Sequence, residues 1–489
     1  MLRPFLSCLK CTTLDGRRCI TSKLADAARH PNNHPKRRWL SSSSSSLGMN
    51  DTDATVDDDK KYSFLHILPW QFLRSSDSAN FDEITCQRND VLYDHNTGKP
   101  EIVHVNSNKD KKSISSAENR VTIDKYTVHD DGGKCNILWS DGLWSEHDDI
   151  GRLEQHYLSW KKSRPEDRII WKNLIDNDVR QSSDLSFSFD TLIADDGSGM
   201  SKAIKTLYQY GILLITKTPV DDNGAGIAAL GSALSGGSVK DKPSASILVN
   251  YKNGGTDHVL PDSTDGPLRT LFGSVWATSS SSQPDGTSVA DSAYGSEGLP
   301  LHTDLTYIQD PPGLQIFTMV QPAPVGGESV FCDAFAVAEK LKSINPNAFD
   351  ILSNTIRTYH SKDNVTGWYL KASGPVIEVR DGRIVGIRHN DLDRLPDLPP
   401  NELTEEKEID EFYDNLKTAH AAWDALIAQD TFRLVMKLNP GDTMVVANQR
   451  CFHGRFSFRS TNEAPRSVMG CYVSQDELSS RYRMEGYDC

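Results

Sequence analysis

From Leu299 onward the chain is a succession of short runs rich in β-branched and aromatic residues, cut by turn residues, and no other pattern limits its fold so much. "GGESVFCDAF", "RLVMKLNPGDTMVVANQRCFHGRFSF" and "RSVMGCYVS" read as strands, with a turn at "RSTNEAP". Many short strands must stack or close on themselves to bury one face and protect their edges. The expected architecture is therefore mostly β, a sandwich or jelly roll (double-stranded β-helix) with flanking helices at "AFAVAEKLKSI" and "EIDEFYDNLKTAHAAWDALIAQD". A hairpin symmetric about Arg459 and Ser460 would make His453 and Arg466 cross-strand partners.

With 489 residues the chain has room for two or three domains. The segment "SFDTLIADDGSGMSKAIKTLYQYGILLITKTP" predicts a helix, a Gly stop and a strand, and opens the larger domain near residue 181. Before it, residues 51–180 mix β-like runs such as "CNILWSDGLW" with the helical "DIGRLEQHYLSWKK", a small α+β domain. Two stretches near 236–266 and 279–286, rich in Gly, Ser, Asp and Pro, interrupt the larger domain as polar insertions. Residues 1–50 carry nine Arg or Lys, including Arg17, Arg18 and Arg37, against only Asp15 and Asp26, and close on the run Ser41 to Ser46. That composition predicts a transit peptide and a mitochondrial destination, with the cytoplasm as the alternative.

The net charge of −14 argues against nucleic acid, whose binders need a basic face. No apolar run approaches the ~18 residues of a membrane span. The nine cysteines form no disulfide framework.

The chemistry is carried by Leu301-His302-Thr303-Asp304-Leu305. Two residues apart on an extended strand, His302 and Asp304 point to one side and can offer two ligands to one metal. Spacing alone is weak, because His129/Asp131, His147/Asp149 and His389/Asp391 share it. The company of His453 and Arg466 sets the first pair apart. Two His and one carboxylate leave about three positions of a non-haem Fe(II) open, whereas structural zinc closes its tetrahedron with Cys or His. A buried guanidinium suits the far carboxylate of a dicarboxylic cosubstrate. A zinc hydrolase is disfavoured, since no H-E-x-x-H motif is present.

"LPLHTDLTYIQDPPGLQIF", "GGESVFCDAF", "LNPGDTMVVANQRCFHGR" and "RSVMGCYVSQDELSSR" resemble the Fe(II)/2-oxoglutarate dioxygenases of carnitine biosynthesis over about residues 186–483. The resemblance implies His302, Asp304 and His453 as iron ligands and Arg466 as the 2-oxoglutarate clamp. It also implies O2 as co-reactant, succinate as co-product and ascorbate in support of activity. The implied substrate is a small trimethylammonium compound, which offers no N–H and is held by aromatic faces. Family-like positions for it fall on Phe272, Trp276, Tyr294 and Tyr472, with Asn390 as a polar contact. The implied reaction is γ-butyrobetaine to L-carnitine, and the alternative is C3 hydroxylation of N6-trimethyllysine. Asp291 favours the alternative, because a carboxylate there would pair with an α-ammonium. A non-catalytic trimethylammonium-binding protein is the rival of another class, and a homodimer is compatible with the sequence.

Members of that family usually carry a structural zinc in the small domain. Here Ser and Asp replace Cys in "WQFLRSSDSANFDEITCQR", and Leu143 stands where a His is expected, so no structural zinc is predicted. His129 and His147 then read as solvated surface residues.

Overall fold

The computed structural model describes residues 60–81, 91–93, 100–102, 121–129, 133–161, 167–193, 198–221, 224–236, 268, 270, 274–279, 293, 295–364, 367–459 and 465–487. The expected leader over 1–50, nearly all of both polar insertions, and the candidates Phe272, Asp291 and Tyr294 lie outside the described residues. The chain divides into two compact units at Ile150/Gly151. That is earlier than the sequence suggested, because Trp171 and Val179 are buried in the core of the second unit and Trp171 Nε1 donates to the Tyr210 carbonyl.

In the first unit β1 (Val91–Tyr93) pairs with β2 (Pro100–Ile102), and β3 (Ile123–His129), β4 (Lys134–Trp139) and β5 (Trp144–His147) form an antiparallel sheet. Arg74 binds both carboxylate oxygens of Asp141 and lies over the Trp139 ring, 5.1 Å from its centroid. His147 is not the surface residue expected. Strand β5 turns Ser145 and His147 inward and leaves Trp144 half exposed, so His147 sits against the Ser145 hydroxyl and burial pushes its pKa down. Its side-chain type could not reveal which face of a four-residue strand is covered. His129 is exposed, as expected.

The second unit contains β6 (Ser186–Ser188), β7 (Ile212–Thr216), β8 (Val275–Ser279), β9 (Leu299–His302), β10 (Leu314–Gln321), β11 (Val325–Gly326) and β12 (Ser329–Asp333). It continues through the hairpins β13 (Arg357–Asp363)/β14 (Trp368–Gly374) and β15 (Ile377–Arg380)/β16 (Arg383–Ile387). The last strands are β17 (Arg433–Met436), β18 (Thr443–Ala447), β19 (Cys451–Arg455), β20 (Phe458–Arg459) and β21 (Ser467–Val473). One sheet has the order β6-β7-β18-β10-β21-β8 and the other β17-β12-β19-β9; apart from β6/β7 all their pairings are antiparallel.

Alternation along these strands builds a layered core. Ile212 and Leu214, Met444 and Val446, and Phe317 and Met319 point toward the four-stranded sheet, where Phe331, Leu434 and Met436 meet them. Their neighbours Leu213, Ile215, Val445 and Cys471 point the other way, onto the helices Ser198–Tyr210, Ala225–Ser235 and Gln475–Met484. Cys332 and Phe452 face outward from the smaller sheet onto the helices Ala334–Ile344, Pro346–Asn354 and Glu406–Ile427. Each fully buried large side chain contributes about 1.5–3 kcal/mol by leaving water.

The helices begin and end where local chemistry requires. Asp333 caps Ala334–Ile344 through the Ala336 N–H, and Ser474 with Glu477 forms a capping box on Gln475–Met484. Gly211 ends Ser198–Tyr210 at φ +73°, and a Cβ there would meet Arg450 Cδ at 2.7 Å. Along Glu406–Ile427 the buried Leu416, Ala419, Trp423 and Leu426 recur at the helical period. Among the described residues no helix is long and apolar enough to cross a membrane.

On that helix His420 Nε2, and packed against its Trp423 His389 Nδ1, are buried without a hydrogen-bond partner. Burial pushes both imidazoles from the usual 6.5 down to about 4; the Arg357 guanidinium adds to the effect and Asp391 opposes it at both, and Asp397 opposes it at His420. The unfolded chain therefore takes up these protons before the folded one. Their contribution to stability is complete above about pH 6.5 and is lost as pH falls toward 4. The melting temperature should drop across that window, and less so in His420→Leu; the same slope in both proteins would refute the assignment.

Candidate functional site

His302 ends β9 and His453 lies in β19, and the two are register partners, which places their ring centroids 4.3 Å apart. Asp304 follows two residues beyond the strand. Its N–H donates to Asn448 Oδ1 at 2.8 Å, and Asn448 Nδ2 returns a bond to its carbonyl at 3.1 Å. Leu305 then takes φ +55°, a conformation that non-glycine residues adopt at a cost, and the chain turns away from the sheet. Thr303, between the two candidate ligands, receives the opposite anchor: its N–H donates to the His389 carbonyl at 2.8 Å, and its hydroxyl accepts from the His389 N–H at 3.1 Å.

His302, Asp304 and His453 are the one group of three or more metal-ligating side chains among the described residues, with donor atoms all within 4.8 Å of one another. The His302 Nδ1–H donates to the Pro300 carbonyl at 2.7 Å, which turns the Nε2 lone pair inward. Asp304 Oδ1 lies 3.2 Å from His302 Nε2 and 3.4 Å from His453 Nε2. Burial opposes ionisation of Asp304, but the two imidazoles hold its carboxyl well below the usual carboxylate range. Burial lowers the pKa of His453, whereas at His302 the Asp304 carboxylate outweighs burial and raises it. A buried carboxylate between two inward lone pairs fits a divalent cation with nitrogen and oxygen preference and an open face.

Above this triad lies a cavity of about 150 Å³ lined by Trp276, Asn390, Asp393, Arg455, Arg466 and Tyr472 among others. Arg466 heads β21 in the larger sheet, so the hairpin expected about Arg459 and Ser460 is not formed. Strand β19 pairs with β12 and β9, and β20 pairs with β11, which carries the chain across to the other sheet before β21 begins. His453 and Arg466 thus line one cavity from opposite sheets. The Arg466 guanidinium is buried 5.5 Å from the Phe458 ring, and burial followed by the nearby Arg455 lowers its pKa to about 10. Two cations in one cavity attract an anion. Arg455 is committed to the carbonyls of Ala293, Gly295 and Glu297, and Arg459 is exposed, so Arg466 is the guanidinium best placed for that anion.

Trp276 and Tyr472 make an aromatic corner, with centroids 6.1 Å apart. Asn390 does reach the cavity, but its amide N–H donates to Asp393 Oδ2 at 2.8 Å, where the Thr306 hydroxyl also donates at 3.0 Å. His389 and Asp391 stand in the loop after β16 rather than in a strand, outside the metal-ligating group. Sequence reasoning passed over Gln315, Asn448 and Asp393. "GLQIF" and "VVANQR" carry a polar residue inside an apolar run, and that was the available signal for the first two.

Residues 175–472, more than half of the chain, match the family described as taurine catabolism dioxygenase TauD, TfdA family. The chain belongs to that family. The dioxygenase is 23% identical over 386 residues to mitochondrial trimethyllysine dioxygenase of Mus musculus, an alignment covering 78% of this chain and 79% of the relative. It is 30% identical over 219 residues to γ-butyrobetaine dioxygenase of Homo sapiens, covering 44% of this chain and 53% of that one. With trimethyllysine dioxygenase of Meyerozyma guilliermondii the identity is 29% over 217 residues, covering 44% and 50%. The protein is an oxidoreductase, an iron- and 2-oxoglutarate-dependent dioxygenase with a His-Asp-His site.

Proposed function

We propose that this dioxygenase hydroxylates a small trimethylammonium substrate, and that the substrate is γ-butyrobetaine, giving L-carnitine. The observation that carries the reading is the aromatic corner of Trp276 and Tyr472 in the same cavity as the metal-ligating triad. Aromatic faces stabilise a quaternary cation that has no N–H to offer. His302, Asp304 and His453 would hold Fe(II), and Arg466 would grip the far carboxylate of 2-oxoglutarate. When bound, iron with 2-oxoglutarate and O2 supplies the oxidation of an unactivated C–H bond that no side chain can perform. The chain's own part is to place that bond over the triad and to keep water out. The two sheets and their helices fit a double-stranded β-helix, and the similarity to a mitochondrial enzyme agrees with the basic leader.

A second reading, hydroxylation of N6-trimethyllysine, is favoured by Asp393. This carboxylate lines the cavity, with one oxygen fixed by Asn390 and Thr306. It would repel the carboxylate of butyrobetaine and pair with the α-ammonium of trimethyllysine. The purified protein should be given Fe(II), ascorbate, 2-oxoglutarate and each substrate in turn, with hydroxylated product followed by mass spectrometry. Turnover of trimethyllysine alone would overturn the first reading, and succinate release with neither would overturn both. If trimethyllysine is the substrate, Asp393→Asn should raise its KM by about tenfold or more.

The aromatic corner depends on a glycine. Gly470 stands opposite Trp276 in the β21/β8 register, and a Cβ there would lie 2.1 Å from Trp276 Cζ2. Gly470→Ala should displace the indole and raise KM for the trimethylammonium substrate roughly tenfold or more, the scale of a lost cation–π contact. Metal affinity should be unchanged, and an unchanged KM would remove Trp276 from the substrate site.

A further inference from the structure

Gln315 and Tyr472 are register partners on β10 and β21, both buried, and both reach across the sandwich to the same atom. The Tyr472 hydroxyl donates to Asp304 Oδ2 at 2.8 Å, and the Gln315 side-chain amide donates to that oxygen as well. The other oxygen, Oδ1, faces His302 Nε2 and His453 Nε2. The backbone of Asp304 is already fixed on both sides by Asn448, so rotation of the carboxylate is the main freedom left to it.

We propose that Gln315 and Tyr472 form a two-donor clasp that makes Asp304 a one-oxygen ligand and thereby holds a coordination position open. Two charge-assisted hydrogen bonds on Oδ2 occupy the lone pairs it would otherwise turn toward the metal. A carboxylate free to rotate can chelate with both oxygens and take a second position. That would leave too few places for a bidentate cosubstrate and O2 together. The Gln315 amide also lies 2.9 Å from His453 Nε2; once a metal takes that lone pair, the amide is left to Asp304 alone. Gln315 and Tyr472 are positioning residues in this scheme. Tyr472 then has two separable parts, a ring that faces Trp276 and a hydroxyl that serves the metal. The inference rests on the metal centre and is independent of which trimethylammonium compound is the substrate.

Tyr472→Phe, Gln315→Leu and the double variant test it, with Mn(II) as the probe metal and no substrate present. Metal affinity comes from titration, bound exchangeable water from solvent-proton relaxation, and 2-oxoglutarate affinity from titration of the Mn(II) protein. The wild type should show about three exchangeable waters per metal. The double variant should bind Mn(II) at least as well per site, lose one water, and bind 2-oxoglutarate about tenfold more weakly or worse. Tyr472→Phe alone should shift 2-oxoglutarate affinity in the same direction while it keeps the aromatic corner. An unchanged water count with unchanged 2-oxoglutarate affinity would overturn the clasp. So would a fall in metal affinity and melting temperature at constant water count, since that is the signature of a merely structural pair.

Discussion

Asp304→Ala is expected to leave a folded protein that neither holds metal nor releases succinate. The carboxylate is the anionic member of the triad and sits within 3.4 Å of both imidazole Nε2 atoms. Without it two neutral imidazoles remain, and neither charge nor geometry retains a divalent ion. Loss of a hydrogen-bond partner of a metal ligand typically costs about 10–100-fold in affinity or activity, so loss of the ligand itself should exceed that in affinity. The fold should survive, because Asn448 bonds the backbone of residue 304 rather than its side chain. Metal content, Mn(II) titration and succinate release should fail together while the melting curve stays cooperative. His453→Ala should behave in the same way. Metal retained at wild-type affinity in Asp304→Ala would mean the triad is not the metal site.

Arg466→Ala is the second large effect, and it is selective. A dicarboxylate in this cavity would lose a buried charged partner at a cost of roughly 3 kcal/mol or more, about a hundredfold or more in the 2-oxoglutarate needed for half-maximal turnover. Metal affinity should not change. Arg466→Lys should recover part of the loss, since an ammonium keeps the charge but not the planar two-point grip. The stability of the ligand-free protein should move the other way or not at all. Burial and the neighbouring Arg455 both disfavour the charged guanidinium, so the ligand-free fold carries this residue at a cost. A normal 2-oxoglutarate requirement in Arg466→Ala would place the anion elsewhere in the cavity.

How much of this was legible in the sequence depends on the range of the interaction. The helix "AFAVAEKLKSI" coincides with Ala334–Ile344, because its Asp333 cap and its periodicity are both local. The Gly211 stop and strand β7 were legible for the same reason. The His-x-Asp segment stood out by its company and its resemblance, and the structure does bring His302, Asp304 and His453 together. The partner of His453 was misread, since hairpin reasoning cannot see the two-residue strand β20 diverting the chain to β11. Gln315, Asn448 and Tyr472 act on Asp304 from 11, 144 and 168 residues away, and no spacing rule spans the larger gaps. Asp393 was not legible because nothing in "IRHNDLDR" tells which of its two aspartates faces the cavity, whereas Asp291 stood out as a departure from the family pattern.

The paired hydrogen bonds between Thr303 and the main chain of His389 bear on how such an enzyme can change its diet. They fasten the loop that bears Asn390 and Asp393 to the residue between two of the metal-ligating side chains. Insertion or deletion in that loop would shift the triad along with the pocket wall, whereas an exchange of side chains at 390 or 393 would not. New substrates are therefore reached most readily by point substitution on a conserved backbone path. A laboratory library aimed at altered selectivity should randomise those side chains and leave the loop length alone.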